Sequence, residues 1–422
     1  MVEEGARTPR GRPATARGRL ERVLGGRAAL WAGFALVHTV VIAIGLRVRG
    51  SVFHDVSSAY LDWVQRAIDG AGVVGIDLPW VYPVLAIVPM AIAYAFGPDH
   101  YLATWFALVV VLDAVAFAGL LGRRRLAPTR RLAAWWWLAF LGLLGPVALG
   151  RIDAITAPIA IVALLLAARH ARVAALLLTI GAWIKVWPAA LGIALVTASR
   201  RRLDVALVAL VVSGAVIAVS LVAGGAGAVF GFLGEQDSRG LQVEAPAAVP
   251  WLWAIALGST GAEVSFDREL VTFQVSGPHV DAVAGLLTPL MAVALAGVAA
   301  LGVVSVLRGA AYGALLPPLS LALVSVLLVC NKVGSPQFAT WLAAPVVLGL
   351  CLRPGRFVPP ALLVAAIAGC TQVLYPVLYD RLLVADPALV LVLSVKVLLE
   401  LAVLGWSVRA VWKSGMRGRE VA

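Results

Sequence analysis

Charged residues are scarce in this chain, making up 13% of its 422 residues, against roughly 25% in a soluble domain. That deficit excludes an ordinary water-soluble enzyme, whose surface needs about twice as much charge. Cysteine is scarce as well. Cys330, Cys351 and Cys370 are the three present, and all lie in apolar runs, which excludes a disulfide framework and a cysteine-based metal site. A P-loop, a dinucleotide-binding glycine fingerprint, HExxH and GxSxG are all missing in any fitting context. No stretch between the apolar runs reads as an independent soluble domain of the usual ~50 residues or more.

What is present is hydrophobic sequence, 62% of the chain, with a mean hydropathy of +0.96. Apolar runs of about 18–22 residues recur, each long enough to cross a hydrocarbon core of ~30 Å. The net charge of +12 sits in clusters: Arg7 to Arg27, Arg123 to Arg131, Arg200 to Arg202, and Arg409 to Arg419. Basic residues at alternate helix ends are what topology requires, since Lys and Arg resist translocation. That distribution reads as cytoplasmic loops and contact with anionic headgroups rather than nucleic-acid binding.

The expected organisation is an all-α polytopic membrane protein with about twelve transmembrane helices and both termini cytoplasmic. Residues 1–27 read as a disordered basic tail, with neither a cleaved signal peptide nor a lipidation motif. The membrane domain covers 28–408, and 409–422 forms a second basic tail. Spans are expected at 28–46, 101–121, 132–149, 154–168, 173–185, 187–199, 204–223, 281–305, 311–329, 336–352, 357–375 and 388–408. Residues 79–97 are apolar but carry Pro79, Pro83 and Pro89, with Pro98 just beyond. A full crossing there would invert every later basic loop, so the segment is expected to be a broken interfacial or re-entrant helix. It then belongs to a first external loop, 47–100. A second external loop, 224–280, carries alternating apolar residues at Val264–Phe266 and Val271–Val275 around Asp267–Glu269, the pattern of a small β-hairpin.

Most carboxylates fall on the external side of this topology, so chemistry that needs them belongs there. Asp55 follows His54 in the first external loop, and Val56, Tyr60, Trp63, Val64 and Ala67 recur at helical spacing over 55–69. Asp62 returns to the face of Asp55, with Arg66 and Asp69 beside it. Asp55 is either an N-cap satisfying free N–H groups or a general base at the membrane surface. Arg151, Lys185, Arg239 and Lys332 occupy outer helix ends or loops, where the positive-inside rule disfavours cations. Each alone reads as a snorkelling anchor; together they fit an anionic lipid phosphate. Lys396 and Glu400 are spaced to pair inside the last helix. His38 and Trp135–Trp137 read as packing and interfacial residues, and Asp113 as a buried hydrogen-bonding or conduit group.

These segments resemble GT-C glycosyltransferases, and more narrowly glycosyltransferase family 87, the polyprenol-phosphate-mannose-dependent mannosyltransferases of actinobacteria. The resemblance rests on the early Asp55-Val56 with Tyr60 and on Pro79-Trp80-Val81-Tyr82-Pro83. It continues through Gly150-Arg151-Ile152-Asp153, Ile184-Lys185-Val186-Trp187-Pro188 and Ser335-Pro336-Gln337-Phe338. Tyr82-Pro83-Val84 departs from the family's frequent Tyr-Pro-Pro. The resemblance implies a GT-C-type bundle with external juxtamembrane helices. It also implies a hexosyltransferase that moves a sugar, mannose above all, from a polyprenyl-phosphate donor to a glycolipid or cell-envelope glycan acceptor. Transfer would occur with inversion on the external face of the plasma membrane, without a metal or other cofactor. Asp55 would be the general base, and Lys185, Arg151, Arg239 and Lys332 would bind the donor phosphate. Asp153, His54, Tyr60, Asp62, Trp80, Tyr82 and Gln337 would contact sugar or acceptor. The competing reading is a multi-pass transporter or flippase of a lipid-linked precursor, which would favour repeats and ionisable groups at the bilayer midplane.

Overall fold

The computed structural model describes residues 26–48, 52–237, 239–268 and 271–417. Residues 1–25 of the basic N-terminal tail, Glu269 of the hairpin turn, and 418–422 lie outside the described residues. The chain is predominantly helical, with one two-stranded sheet among the described residues.

In chain order, α1 (Arg27–Arg47) leads to a wide π-helical turn, Asp55–Tyr60, that continues as α2 (Leu61–Ile68). The proline-rich stretch breaks as expected into short pieces, with α3 (Ile87–Ala93) between 3₁₀ turns Val84–Ala86 and Tyr94–Phe96. There follow α4 (Tyr101–Leu121), α5 (Pro128–Leu144), α6 (Asp153–Leu166), α7 (Ala171–Ile184), α8 (Pro188–Ala198) and α9 (Arg202–Val222). Next come α10 (Gly231–Asp237), α11 (Val249–Ala256), the strands β1 (Glu263–Asp267) and β2 (Thr272–Ser276), α12 (Val280–Leu307) and α13 (Tyr312–Val329). A 3₁₀ segment, Pro336–Leu342, enters α14 (Ala343–Leu352), and α15 (Pro354–Gln372), α16 (Tyr379–Leu383) and α17 (Pro387–Arg417) complete the chain.

Eight helical segments among the described residues are long and apolar enough to cross a membrane, fewer than the twelve expected. The other four expected spans are the short helices 153–166, 171–184, 188–198 and 336–352. At about 1.5 Å per residue, the first three, of at most 14 residues, reach only ~21 Å, less than the hydrocarbon thickness, and 336–352 falls just short of the 18 residues of the shortest long span. Length, which hydropathy alone does not weigh, removes them from the count. Burial explains how they persist: α6, α8 and α14 supply much of the central core, including Ile161, Leu191, Leu195, Val346 and Val347.

The β-hairpin forms where alternation placed it, antiparallel, with Val264 opposite Val275 and Phe266 opposite Phe273. A bridge from Gln242 to Gln274 docks the segment before α11 onto this ribbon. The last helix runs nine residues past the expected end at 408. Its extension remains apolar on one side, where Val411 is fully buried. Ser305 donates to the Val411 carbonyl at 3.1 Å, and the Arg308 guanidinium lies 4.6 Å from the Trp412 ring centre.

Lys396 pairs with Glu400 as the spacing required, at 3.7 Å. The structure adds a third member, Glu244, from the loop after α10, 3.9 Å from the same ammonium. One lysine thus serves two buried carboxylates. His38 and Asp113, both buried, also pair, Nε2 to Oδ2 at 3.0 Å, tying α1 to α4.

Burial pushes the Glu244 carboxyl up from 4.5 to about 7, Lys396 pulling it down and Glu400 pushing it further up. An acid raised by folding favours its protonated form in the fold. Its stabilisation is therefore complete below about pH 4.5 and is lost as pH climbs through about 7. Stability in detergent should fall across that window by an amount bounded at roughly 3 kcal/mol. Thermal unfolding of Glu244→Gln should lose that slope, whereas an unchanged slope would assign it to another group.

Candidate active site

The site grows from one aromatic ring. Phe53 is 2% exposed and lies between Gly45 of α1 and Gly150 at the entry to α6. A Cβ on either glycine would fall inside the ring's van der Waals surface. With hydrogen in place of a side chain at both positions, α1 and the 150–153 turn close on Phe53. The next turn then begins at a fixed point. The Phe53 carbonyl accepts the Val56 N–H at 3.0 Å and the Ser57 N–H at 2.9 Å, starting the helix that carries Asp55.

The N-cap position falls on His54, whose side chain makes no capping hydrogen bond, and the first residue inside the helix is Asp55. Its Oδ2 meets Arg151 Nε at 3.2 Å, and 40% of its side chain remains exposed. The N-cap reading thus fails because the cap position lies one residue earlier, and the carboxylate pairs with a guanidinium. Arg151 is 7% exposed, and its other nitrogens are also engaged. Nη1 donates to the carbonyls of Val52 and Gly150, and Nη2 donates to the Tyr375 hydroxyl at 3.0 Å. Burial opposes the charge of Arg151, but Asp55, followed by Tyr375 and Tyr60, outweighs it and holds the guanidinium above its ordinary range.

Tyr60 packs beside this pair, 1% exposed, its hydroxyl accepting the Ile152 N–H at 3.1 Å. Burial, with Tyr82 and Asp55 next to it, pushes that phenol well above its ordinary value. Tyr60 therefore stays a neutral hydrogen-bonding group. Tyr82 is edge-on to Tyr60, Trp63 and Trp80. Its ring face receives the Lys185 ammonium, 4.5 Å from the centroid.

Beyond Tyr82 opens a cavity of about 610 Å³. Val81 and Pro83 form one wall, and α10, α12 and α13 contribute apolar residues. Lys185, Asn331 and Lys332 supply the polar side chains lining it apart from Thr288 and the indoles of Trp187 and Trp341. Trp187 and Trp341 stack at 5.9 Å with planes 10° apart, and Phe338 stacks on Trp341 at 4.0 Å. Asp153 holds this aromatic wall from behind. It is fully buried, and its Oδ1 accepts Trp341 Nε1–H at 2.5 Å.

Among the residues singled out in sequence, Asp55, Arg151, Tyr60, Tyr82 and Lys185 come together, and Lys332 joins Lys185 at the cavity. Asp153, expected to contact sugar or acceptor, is fully buried and bonds to Trp341. Trp80 is 4% exposed and packed edge-on against Trp63 at 5.2 Å, so its faces are not open to a sugar. Asp62 points away into an exposed pair with Arg66 at 2.8 Å. His54 is exposed beside Asp55. Arg239 and Gln337 are not among the cavity-lining residues. Arg239 nevertheless lies in the loop whose Gln242 N–H donates to the Lys332 carbonyl at 3.0 Å, and its buried Nε has no hydrogen-bond partner. Gln337 is buried, with its carbonyl accepting from Thr340 at 2.7 Å.

Sequence reasoning missed Tyr375, Trp341, Asn331 and Glu244. A signal for Tyr375 did exist: Tyr375-Pro376 repeats the Tyr82-Pro83 dipeptide, inside an apolar run where a proline needs a reason. Among the described residues, no group of three His, Cys, Asp or Glu gathers to hold a metal.

Gly150→Ala should force Phe53 from its slot, with an overpacking cost of about 1–3 kcal/mol, and displace Asp55 with it. Thermal unfolding in detergent would show the loss. A midpoint equal to wild type would mean that the ring yields freely and does not fix the turn.

Residues 80–267, somewhat under half of the chain, match the family model of glycosyltransferase family 87. No curated protein matches the chain. The matched stretch contains Trp80, Tyr82, Arg151, Asp153, Lys185 and Arg239, while Asp55 and Lys332 lie outside it. The family resemblance carried by the short motifs therefore holds over residues 80–267, and with eight membrane-crossing helices it supports a membrane glycosyltransferase similar to family 87.

Proposed function

We propose that this protein moves a sugar, mannose in the reading drawn from the family resemblance, from a polyprenyl-phosphate donor to a glycolipid or cell-envelope glycan. The reaction takes place on the external face of the plasma membrane. The observation that carries this reading is the adjacency of two unlike places. A largely apolar cavity has Lys185 and Lys332 on its wall, and Lys185 lies over the Tyr82 ring. Tyr82 is in turn edge-on to Tyr60, which packs beside the half-exposed Asp55 carboxylate and Arg151. A lipid phosphate asks for apolar volume next to cations, and an acceptor hydroxyl asks for a reachable carboxylate. A lipid-borne donor also suits an external site, which has no supply of nucleotide sugars.

The reaction is a single displacement. The acceptor oxygen bonds to the anomeric carbon as the bond from that carbon to the phosphate oxygen breaks, inverting the centre. The electron pair leaves on the phosphate, and the acceptor proton passes to Asp55. Lys185 and Lys332 meet the charge growing on the phosphate, as preorganised cations do in such transition states. Arg151 has too few free donors left for that task and serves Asp55. Arg239 approaches the donor only through the loop it shares with Gln242. The Tyr82 ring keeps Lys185 in place, a cation–π contact worth about 0.5–2 kcal/mol.

Purified protein in detergent, supplied with radiolabelled polyprenyl-phosphate mannose and a glycolipid acceptor pool, should make a labelled product. Asp55→Asn should reduce that transfer by ~10²–10⁴ while leaving expression and donor binding intact. Undiminished turnover would remove Asp55 as the base. Lys185→Ala should weaken donor use by ~10²-fold or more and leave acceptor affinity near wild type. Loss of acceptor binding with normal donor binding would contradict its role. Failure of well-folded wild type on both mannose and arabinose lipid donors would favour the transporter.

A further inference from the structure

We infer that Tyr375 is a positioning residue for this site, acting through Arg151 on the Asp55 carboxylate; the inference rests on the reading of Asp55 as general base. Tyr375 lies far from the first loop in sequence, 224 residues beyond Arg151. Where α15 ends, its backbone leaves helical geometry at φ −137° and ψ 125°. The helix is broken at this residue, and the break turns its phenol toward the first loop. The hydroxyl accepts Arg151 Nη2–H at 3.0 Å, and the guanidinium carbon lies 5.9 Å from the ring centroid.

The geometry of the guanidinium makes this contact consequential. Its five N–H bonds lie in one plane, so fixing two edges fixes the third. Nη1 is held by the backbone carbonyls of Val52 and Gly150. Nη2 is held by Tyr375, and Nε then points at Asp55. Asp55 and Tyr375 are the side chains that hydrogen-bond or ion-pair with Arg151 among the described residues. One belongs to the reacting carboxylate and the other is the far support. Without the phenol oxygen the plane can pivot about its Nη1 edge, and the carboxylate moves with it. A displacement of about 1 Å at a reacting group can cost ~10²-fold in rate.

Tyr379 provides the control. It packs edge-on against Tyr375, with ring centres 5.2 Å apart. Its hydroxyl belongs to the same end of the bundle, but Arg151 does not bond to it among the described residues. Removing the Tyr379 hydroxyl therefore tests the packing of this corner without touching the guanidinium.

The experiment compares wild type, Tyr375→Phe, Tyr379→Phe and Asp55→Asn in full-length protein in detergent. Initial rates are measured over a range of polyprenyl-phosphate mannose concentrations, and amide hydrogen exchange is followed in parallel. Tyr375→Phe should lower kcat by about 10- to 100-fold with donor KM within twofold. It should also speed exchange in the Val56–Tyr60 amides. Tyr379→Phe should change neither. Wild-type kcat in Tyr375→Phe beside an inactive Asp55→Asn would overturn the role of Tyr375 and leave the base intact. Equal losses in the two tyrosine variants would overturn it as well, by making the effect one of packing. Unimpaired transfer by Asp55→Asn would instead sink the underlying reading of the base. If no donor is accepted, exchange still decides, since unchanged protection at Val56–Tyr60 in Tyr375→Phe would overturn the inference.

Discussion

Burying a guanidinium costs several kcal/mol unless its donors find acceptors and its charge finds a partner. Arg151 meets both conditions through four residues from three parts of the chain. Val52 and Gly150 offer backbone carbonyls, Asp55 offers charge, and Tyr375 offers a phenol from the far end of the bundle. Each of these depends on another feature. The carbonyl of Val52 is in place because Phe53 is clamped between two glycines. The Tyr375 hydroxyl is in place because α15 breaks at that residue. Removing the cation would leave a half-buried carboxylate and two carbonyls without their partner.

The cavity beside this arrangement is organised by a different carboxylate. Asp153 follows Arg151 by two residues, yet it bonds to Trp341. One short turn, Gly150 to Asp153, therefore serves two neighbouring places with opposite requirements. Arg151 secures the polar side, where it holds the half-exposed Asp55 carboxylate. Asp153 secures the stacked aromatic wall of the apolar side.

Much of the fold was legible because membrane insertion writes itself into hydropathy. Long spans, the broken proline-rich stretch and the alternating strands of the hairpin all follow from local pattern. The short helices α6, α7 and α8 were legible as short apolar segments, at 154–168, 173–185 and 187–199, but what encloses them was not, since hydropathy does not report what surrounds a segment. The end of α17 was misjudged for a related reason. Basic residues near a terminus look like a tail, while the packing of Val411 and Trp412 against α12 is invisible in one dimension. For the site, the ordered short blocks named Asp55, Arg151, Tyr82 and Lys185, which the fold brings near one another. Tyr375, Trp341 and Glu244 escaped because each acts across more than a hundred residues. No local spacing encodes such a contact.

The short helices also bear on how the chain enters a membrane. A helix such as α8, with eleven residues, cannot span the bilayer as an independent unit, and its ends would leave backbone groups unsatisfied in hydrocarbon. Its stability in the bundle comes from neighbours, and α13, one of the principal ones, is synthesised more than a hundred residues later. Insertion therefore cannot proceed helix by helix in the order of synthesis. α6 and α8 complete their packing only when α14, α12 and α13 arrive from the C-terminal half, whereas α7 packs on its sequence neighbours α6, α8 and α9. The residues that build the cavity wall are thus among the last to reach their final depth.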